Sequence, residues 1–172
     1  MIREFALAQW HDLLMSALDE LDDLFAIQAG SAKNASLDPW SRATQLSAAE
    51  LDAFVTHPRN AEVVSTQPDG RPLAVPAGFV SVGIEMWLPT SAGAVRRRDV
   101  AVHGALSLVV TESDRDEHAT LLVEGPAREV AIGDVAPGVV LAYTEKYGQA
   151  PDWAGCWLVL RPRRVLSHRG VA

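Results

Sequence analysis

The stretches Glu62-Val63-Val64-Ser65-Thr66, Gln67-Pro68-Asp69-Gly70-Arg71-Pro72, Leu73 to Val82 and Ile84-Glu85-Met86-Trp87-Leu88-Pro89-Thr90 decide the fold. The first is rich in β-formers. The Pro-Asp-Gly that follows turns the chain, because Gly70 takes a positive φ without a Cβ clash, and a β-hairpin is predicted. Leu73 to Val82 reads as one extended strand running up to Gly83, and Ile84 to Thr90 alternates broadly between apolar and polar residues as a third. Short links between three successive strands imply antiparallel pairing.

Toward the C-terminus, the small residues Ser91-Ala92-Gly93 form a turn carrying Arg96-Arg97-Arg98, and Leu106-Ser107-Leu108-Val109-Val110 resumes as a fourth strand. A basic cluster placed this way suits phosphate or carboxylate, since each planar guanidinium donates paired hydrogen bonds to two anionic oxygens. A solvated turn is the plainer reading of any Arg triplet. Asp99, next to it, repels a phosphate if it faces inward, or else orients Arg96 or caps a helix. His118 to Val130 is a fifth strand bent at Gly125-Pro126. Asp134 to Tyr147 reads as a helix with Pro137 in its first turn and Gly148 as its stop. Cys156 to Leu166 is the last strand, with Pro162 marking a bulge or an edge.

Toward the N-terminus, Leu7, Trp10, Leu14, Ala17, Leu21 and Leu24 recur at intervals of three and four, which predicts an amphipathic helix over residues 3–28. Asp19, Glu20, Asp22 and Asp23 oppose its dipole, so tertiary packing must stabilise it. Its apolar stripe covers the rest of the domain or a second copy, or else recruits a protein partner. Gly30 to Ser36 is small and polar, hence a linker. Ser47-Ala48-Ala49-Glu50 is a capping box that starts a helix from Ala48 to about Thr56, ending before Pro58.

At 172 residues the chain is one domain long, and 48% hydrophobic residues fill a sizeable core. A formal net charge of −7 disfavours nucleic acid and leaves a small anion as the better match for the local basic cluster. The single cysteine, Cys156, forms no internal disulfide and lies in an apolar run, where an inert buried thiol is expected. No apolar run approaches the roughly 20 residues that span a bilayer, and no signal core is visible, so a cytoplasmic protein without membrane contact is expected. The histidines His11, His57, His103, His118 and His168 lack the paired spacing of a helical metal site, and no metal site is expected. No nucleophile elbow appears, and no catalytic side chain is assigned.

Val64-Ser65-Thr66, Pro68-Asp69-Gly70-Arg71-Pro72, Val75-Pro76, Phe79, Trp87-Leu88-Pro89-Thr90, Arg96, Arg98 and Leu106 to Val110 together resemble the pyridoxamine 5'-phosphate oxidase-like split β-barrel family, and within it the flavin and deazaflavin oxidoreductases. The resemblance spans roughly Leu46 to His168. It implies a mainly β fold with flanking helices, a six-stranded antiparallel split barrel of the FMN-binding type, here with the N-terminal helix added. The chain then divides into the helix (1–30), a linker (31–45) and the cofactor-binding barrel (46–172).

The resemblance further implies a homodimer with coenzyme F-420 or FMN in a groove between subunits, acting as an oxidoreductase that transfers hydride to or from a small organic molecule. Thr90, Ser91, Arg96, Arg97 and Arg98 would hold the phosphate, and Ser65, Thr66, Val75, Pro76 and Phe79 would lie near the ring. Trp153 and Trp157 either close the groove or pack the core. Where the family commonly has Ser-Arg-Lys followed by Arg-Asn-Leu, this chain has Ala94-Val95-Arg96 and then Arg98-Asp99-Val100. That difference keeps an alternative open: a non-catalytic split-barrel dimer that has lost its cofactor, or binds haem through His103 or His168, and acts as a protein-interaction module.

Overall fold

Residues 23–24, 26–31, 44–57, 59–113 and 117–171 are described in the computed structural model of the chain. Most of the helix predicted over 3–28 lies outside them. Its described end, α1 (23–24 and 26–31), is helical through Ser31. There follow α2 (Ala48–Thr56), β1 (Asn60–Thr66), β2 (Pro72–Gly78), β3 (Val80–Val82), β4 (Glu85–Thr90), α3 (Val95–His103), β5 (Ala105–Ser113), β6 (Glu117–Ala131), α4 (Pro137–Tyr147), β7 (Cys156–Leu160) and β8 (Arg164–Val171).

Eight strands stand where six were expected, because two of the predicted strands each break in the middle. The run Leu73 to Val82 breaks at Phe79 into β2, which pairs with β1, and β3, which pairs with β4. The run Cys156 to Leu166 breaks at Arg161-Pro162-Arg163 into β7 and β8. Pro162 lacks the amide a continuous ladder would need. Both breaks let one length of chain serve two half-sheets, β2-β1-β5-β6-β8 and β3-β4-β7-β6, joined through the long β6. All pairings are antiparallel.

The bend predicted at Gly125-Pro126 is where β6 passes from one half-sheet to the other. Its residues up to Pro126 pair with β5, and Ala127 onward pairs with β7. A Cβ at Gly125 would stand 2.0 Å from the Arg161 carbonyl oxygen, so only glycine admits this approach. The Arg161 amide donates to the Pro126 carbonyl (3.0 Å) and the Arg163 amide to that of Glu124 (2.8 Å), which seals the corner.

Alternation along the strands sorts their side chains. Met86 and Leu88 of β4, Leu106, Leu108 and Val110 of β5, Leu121 and Val123 of β6, and Leu158 and Leu160 of β7 fill the barrel interior. Trp87, Val130, Trp157 and Val159 face the other way and pack under Val139 and Tyr143 of α4. The strand β7 is therefore buried on both faces. Trp157 belongs to this core, edge-on to Tyr143 at 5.7 Å and 89°. Helix α4 starts at Pro137, later than predicted, after a 3-10 turn at Ile132–Asp134, and stops at Gly148 (φ 78°).

Helices α1 and α2 complete the interior. Leu24 is buried in the core with Leu46, Leu51, Phe54 and Val55. Gln28 is fully buried, donates to the Leu46 carbonyl (2.9 Å) and accepts from the Ser167 hydroxyl. The described end of the apolar stripe thus packs into the barrel's own core. The predicted capping box forms at α2, where the Glu50 carboxylate accepts from the Ser47 amide (2.6 Å) and hydroxyl (2.8 Å).

Candidate functional site

The basic segment after β4 is a helix rather than the turn read from sequence. Ser91 to Gly93 absorb the reversal, Ala94 sits at the N-cap with ψ 135°, and Gly104 (φ 62°) ends α3 in the left-handed region. Long unbranched arginines are good helix formers, which favours this outcome. It also separates them. Successive residues leave a helix about 100° apart, so Arg96 and Arg98 point to nearly opposite sides.

Their partners differ accordingly. Half-buried Arg96 donates from Nε to the Thr90 hydroxyl (3.3 Å) and from a terminal nitrogen to the Pro89 carbonyl (3.4 Å). It has no carboxylate partner among the described residues. Burial lowers its pKa, yet an arginine keeps its charge throughout. Arg97 is committed to the Glu129 carboxylate at 2.5 Å, which raises its pKa, and to the Ala92 carbonyl at 3.0 Å. Arg98 is exposed, and its charge helps hold the Asp69 carboxyl low, behind the hydrogen bonds from Arg71.

Asp99 neither orients Arg96 nor caps the helix. It lies in the middle of α3, buried, and accepts from the Ser65 hydroxyl at 2.7 Å, pinning the helix to β1. Its other carboxylate oxygen, Oδ1, is buried without a hydrogen-bond partner. Its charge is thus turned toward β1.

The residues expected near a ring do not share one surface. Ser65 is occupied by Asp99, while its neighbour Thr66 is exposed on the opposite face of β1. Val75 and Pro76 are consecutive on β2 and also face opposite ways, beside Val63 and Glu62 respectively. Phe79 is buried, with the Lys146 ammonium 3.8 Å from its ring centroid. Thr90 is fully buried under Arg96, and Ser91 is exposed. Trp153 is 56% exposed and available to a ligand or a second copy, unlike Trp157.

Two depressions flank α3. One, of about 460 Å³, is lined by Val64, Thr66, Gly104, Ser107, Glu124 and Arg163. The other, of about 430 Å³, follows the helix start and is lined by Gly93, Ala94, Val95, Arg97, Arg98 and Glu129. They meet opposite ends of a helix roughly 13 Å long. The second combines two guanidinium groups with the positive end of the helix dipole. Cys156 is buried nearby and its thiol pKa is raised by that burial, as befits an inert side chain.

One unusual group carried no signal in the sequence. Lys146, in the last turn of α4, donates to the Val55 carbonyl (2.7 Å) and lies over Phe79, and burial pulls its pKa down to about 7. A lysine late in a helix reads as a solvated charge. Only the docking of α4 against the Phe79 break draws it partly out of water.

A model of the pyridoxamine 5'-phosphate oxidase family matches residues 47–168 of the chain. Among solved structures, the conserved hypothetical protein Rv2991 from Mycobacterium tuberculosis has a TM-score of 0.63 at 22% identity, covering 74% of this chain and 87% of that one. The FAD binding protein from Mycobacterium smegmatis has a TM-score of 0.57 at 19% identity, covering 75% and 99%. A protein named as an F420 reductase has a TM-score of 0.54 at 18% identity, covering 66% and 94%. No curated protein matches the sequence. At these identities the structures bear on the fold alone, and the fold they share is the split barrel built above. The match over residues 47–168 establishes that the chain belongs to the pyridoxamine 5'-phosphate oxidase family.

Proposed function

We propose that two copies of this chain bind coenzyme F-420 or FMN in a groove between them and transfer hydride to or from a small organic molecule. Arg96 is the observation that carries this reading. Its half-buried guanidinium is held only by neutral acceptors, Thr90 and Pro89, so its charge is uncompensated by any described carboxylate and remains for an anion. Asp99 is committed through one carboxylate oxygen to the Ser65 hydroxyl rather than to Arg96. The solved structures named for FAD binding and for F420 reduction support a flavin-type cofactor.

The bound cofactor supplies the redox chemistry, and the protein positions it and excludes water. In this reading Arg96 and the first turn of α3 hold the phosphate, and Thr66 and Pro76, on the outer face of the β1-β2 edge, lie toward the ring. Among the described residues the edge strand β2 pairs only with β1 and is exposed along most of its length, which leaves it for the second copy.

Parallel fluorescence titrations with coenzyme F-420 and with FMN test the proposal. Saturable binding of one is expected. Arg96→Ala should weaken it by about 1–3 kcal/mol, the scale of a lost charged hydrogen bond, or about 5- to 150-fold. Arg97→Ala should weaken it less, because Arg97 is already paired with Glu129. Binding of neither cofactor would favour the non-catalytic scaffold, and unchanged binding in Arg96→Ala would remove Arg96 from the site.

A further inference from the structure

We propose that Lys146 is a site of covalent modification, an amine that takes a small acyl group from an acyl phosphate. It is one of only two lysines among 15 Lys and Arg residues, the other being Lys33. Arginine keeps its proton in proteins, so the lysines are the side chains that can present a neutral amine.

The head of Lys146 is held from several sides. Nζ donates to the Val55 carbonyl at 2.7 Å, one of the last four carbonyls of α2, which find no amide within their own helix. The Phe79 ring, at the break between β2 and β3, has its centroid 3.8 Å from Nζ, and the Tyr147 ring 5.5 Å. Among the described residues no carboxylate pairs with Lys146. Its charged neighbour is instead a cation, Arg59, which is itself held by Glu112 (3.1 Å), by Nδ1 of His57 (3.3 Å) and over the Phe54 ring. Tyr147 donates its hydroxyl to the Arg59 carbonyl (2.7 Å), and both Tyr147 and Tyr143 have raised pKa values, so neither supplies a negative charge near neutrality. Removal from water and a neighbouring cation are the two means by which a lysine is made nucleophilic, and Lys146 has both. Its pKa of about 7 accords with that geometry.

The product suits the same place. The lone pair of the neutral amine attacks the acyl carbon, an N–C bond forms, the C–O bond to phosphate breaks, phosphate leaves with the electron pair, and the surplus amine proton passes to water. The resulting amide keeps one N–H, which the Val55 carbonyl can go on accepting. A neutral imine formed from an aldehyde keeps none and would strand that carbonyl, which is why an acyl donor fits better. Acylation also removes a charge beside Arg59 and sets an apolar methyl among Phe79 and Tyr147. Lys146 is only partly exposed, and this restricts the donor to a small group such as acetyl.

The test uses the full chain with acetyl phosphate at pH 7.5, and Nα-acetyl-lysine in the same tube as reference. Peptide mass spectrometry follows acetylation at Lys146 separately from Lys33. At this pH about three-quarters of an amine with a pKa of about 7 is neutral, against about one in a thousand for an ordinary lysine. A less basic nucleophile attacks more slowly once deprotonated, so the expected gain is smaller than that ratio: Lys146 in the folded protein should react at least about 10-fold faster than the reference. In concentrated urea it should match the reference. Its rate should also level off above about pH 8, while that of the reference keeps climbing. Native Lys146 reacting less than about 10-fold faster than the reference, or an advantage that persists in urea, would overturn the proposal, and neither result depends on a variant folding.

Discussion

Replacing Lys146 by Met should change how stability depends on pH. The Lys146 ammonium is partly buried between α4 and the break after β2, hydrogen-bonded to Val55 and stacked over Phe79, with a pKa of about 7 set first by desolvation and second by the Arg59 charge. In the unfolded chain a lysine titrates near 10.4. Between these values the unfolded state binds more protons than the folded one, so this group makes the protein more stable as pH rises from 7 toward 10. Below pH 7 its contribution is constant and at its least favourable. Each pKa unit corresponds to about 1.4 kcal/mol, and integration from pH 7 to 9.5 gives a rise of about 3 kcal/mol. Tyr143, Tyr147 and Cys156 have raised pKa values and act in the opposite direction at the alkaline end. Subtracting the Lys146→Met profile from the wild-type profile removes them. Urea unfolding at half-unit pH steps measures both curves. If the two run parallel from pH 7 to 9.5, Lys146 is not buried as described and the argument fails.

Gly125→Ala should destabilise the barrel by at least about 2 kcal/mol, because the new methyl group would meet the Arg161 carbonyl at 2.0 Å and must push the β6 corner off Arg161-Pro162-Arg163. The midpoint of guanidinium unfolding reads this out, and a shift under 0.5 kcal/mol would mean the corner is looser than described. Ser65→Ala should cost about 1–3 kcal/mol, since it strips the buried Asp99 carboxylate of its one donor. In a double-mutant cycle with Asp99→Ala the two losses should be strongly non-additive, and simple additivity would show that Ser65 and Asp99 are energetically separate.

How far the sequence could be read differs between elements for physical reasons. The capping box at Ser47 and Glu50, the turn at Gly70 and the bend at Gly125-Pro126 are set by backbone rules that act over a few residues, and the structure has all three. The break at Phe79 was not legible, because a strand that leaves one half-sheet for another keeps its β-forming composition on both sides. The basic segment read as a turn because Ser91-Ala92-Gly93 is a real turn signal, but helix propensity takes over only a few residues later, at Val95. Helical geometry then spreads the three arginines that a linear reading groups together. Ser65 and Thr66, or Val75 and Pro76, likewise read as neighbours in sequence, while the pleat sends the members of each pair to opposite faces.

Sequence alone determined the class of this protein: strands in order, antiparallel hairpins, a basic segment after the β4 strand, and a composition able to bury one core. These follow from local backbone preferences and from solvent sorting of side chains, which are written residue by residue. Tertiary structure decided the chemistry of individual groups. It left Arg96 with its charge uncompensated by any described carboxylate while pairing Arg97 with Glu129, turned Asp99 to Ser65, partly buried the Lys146 ammonium and brought His118 beside His168. Charge, burial and convergence are properties of what lies across space, and residues far apart in the chain supply them only after the strands have paired.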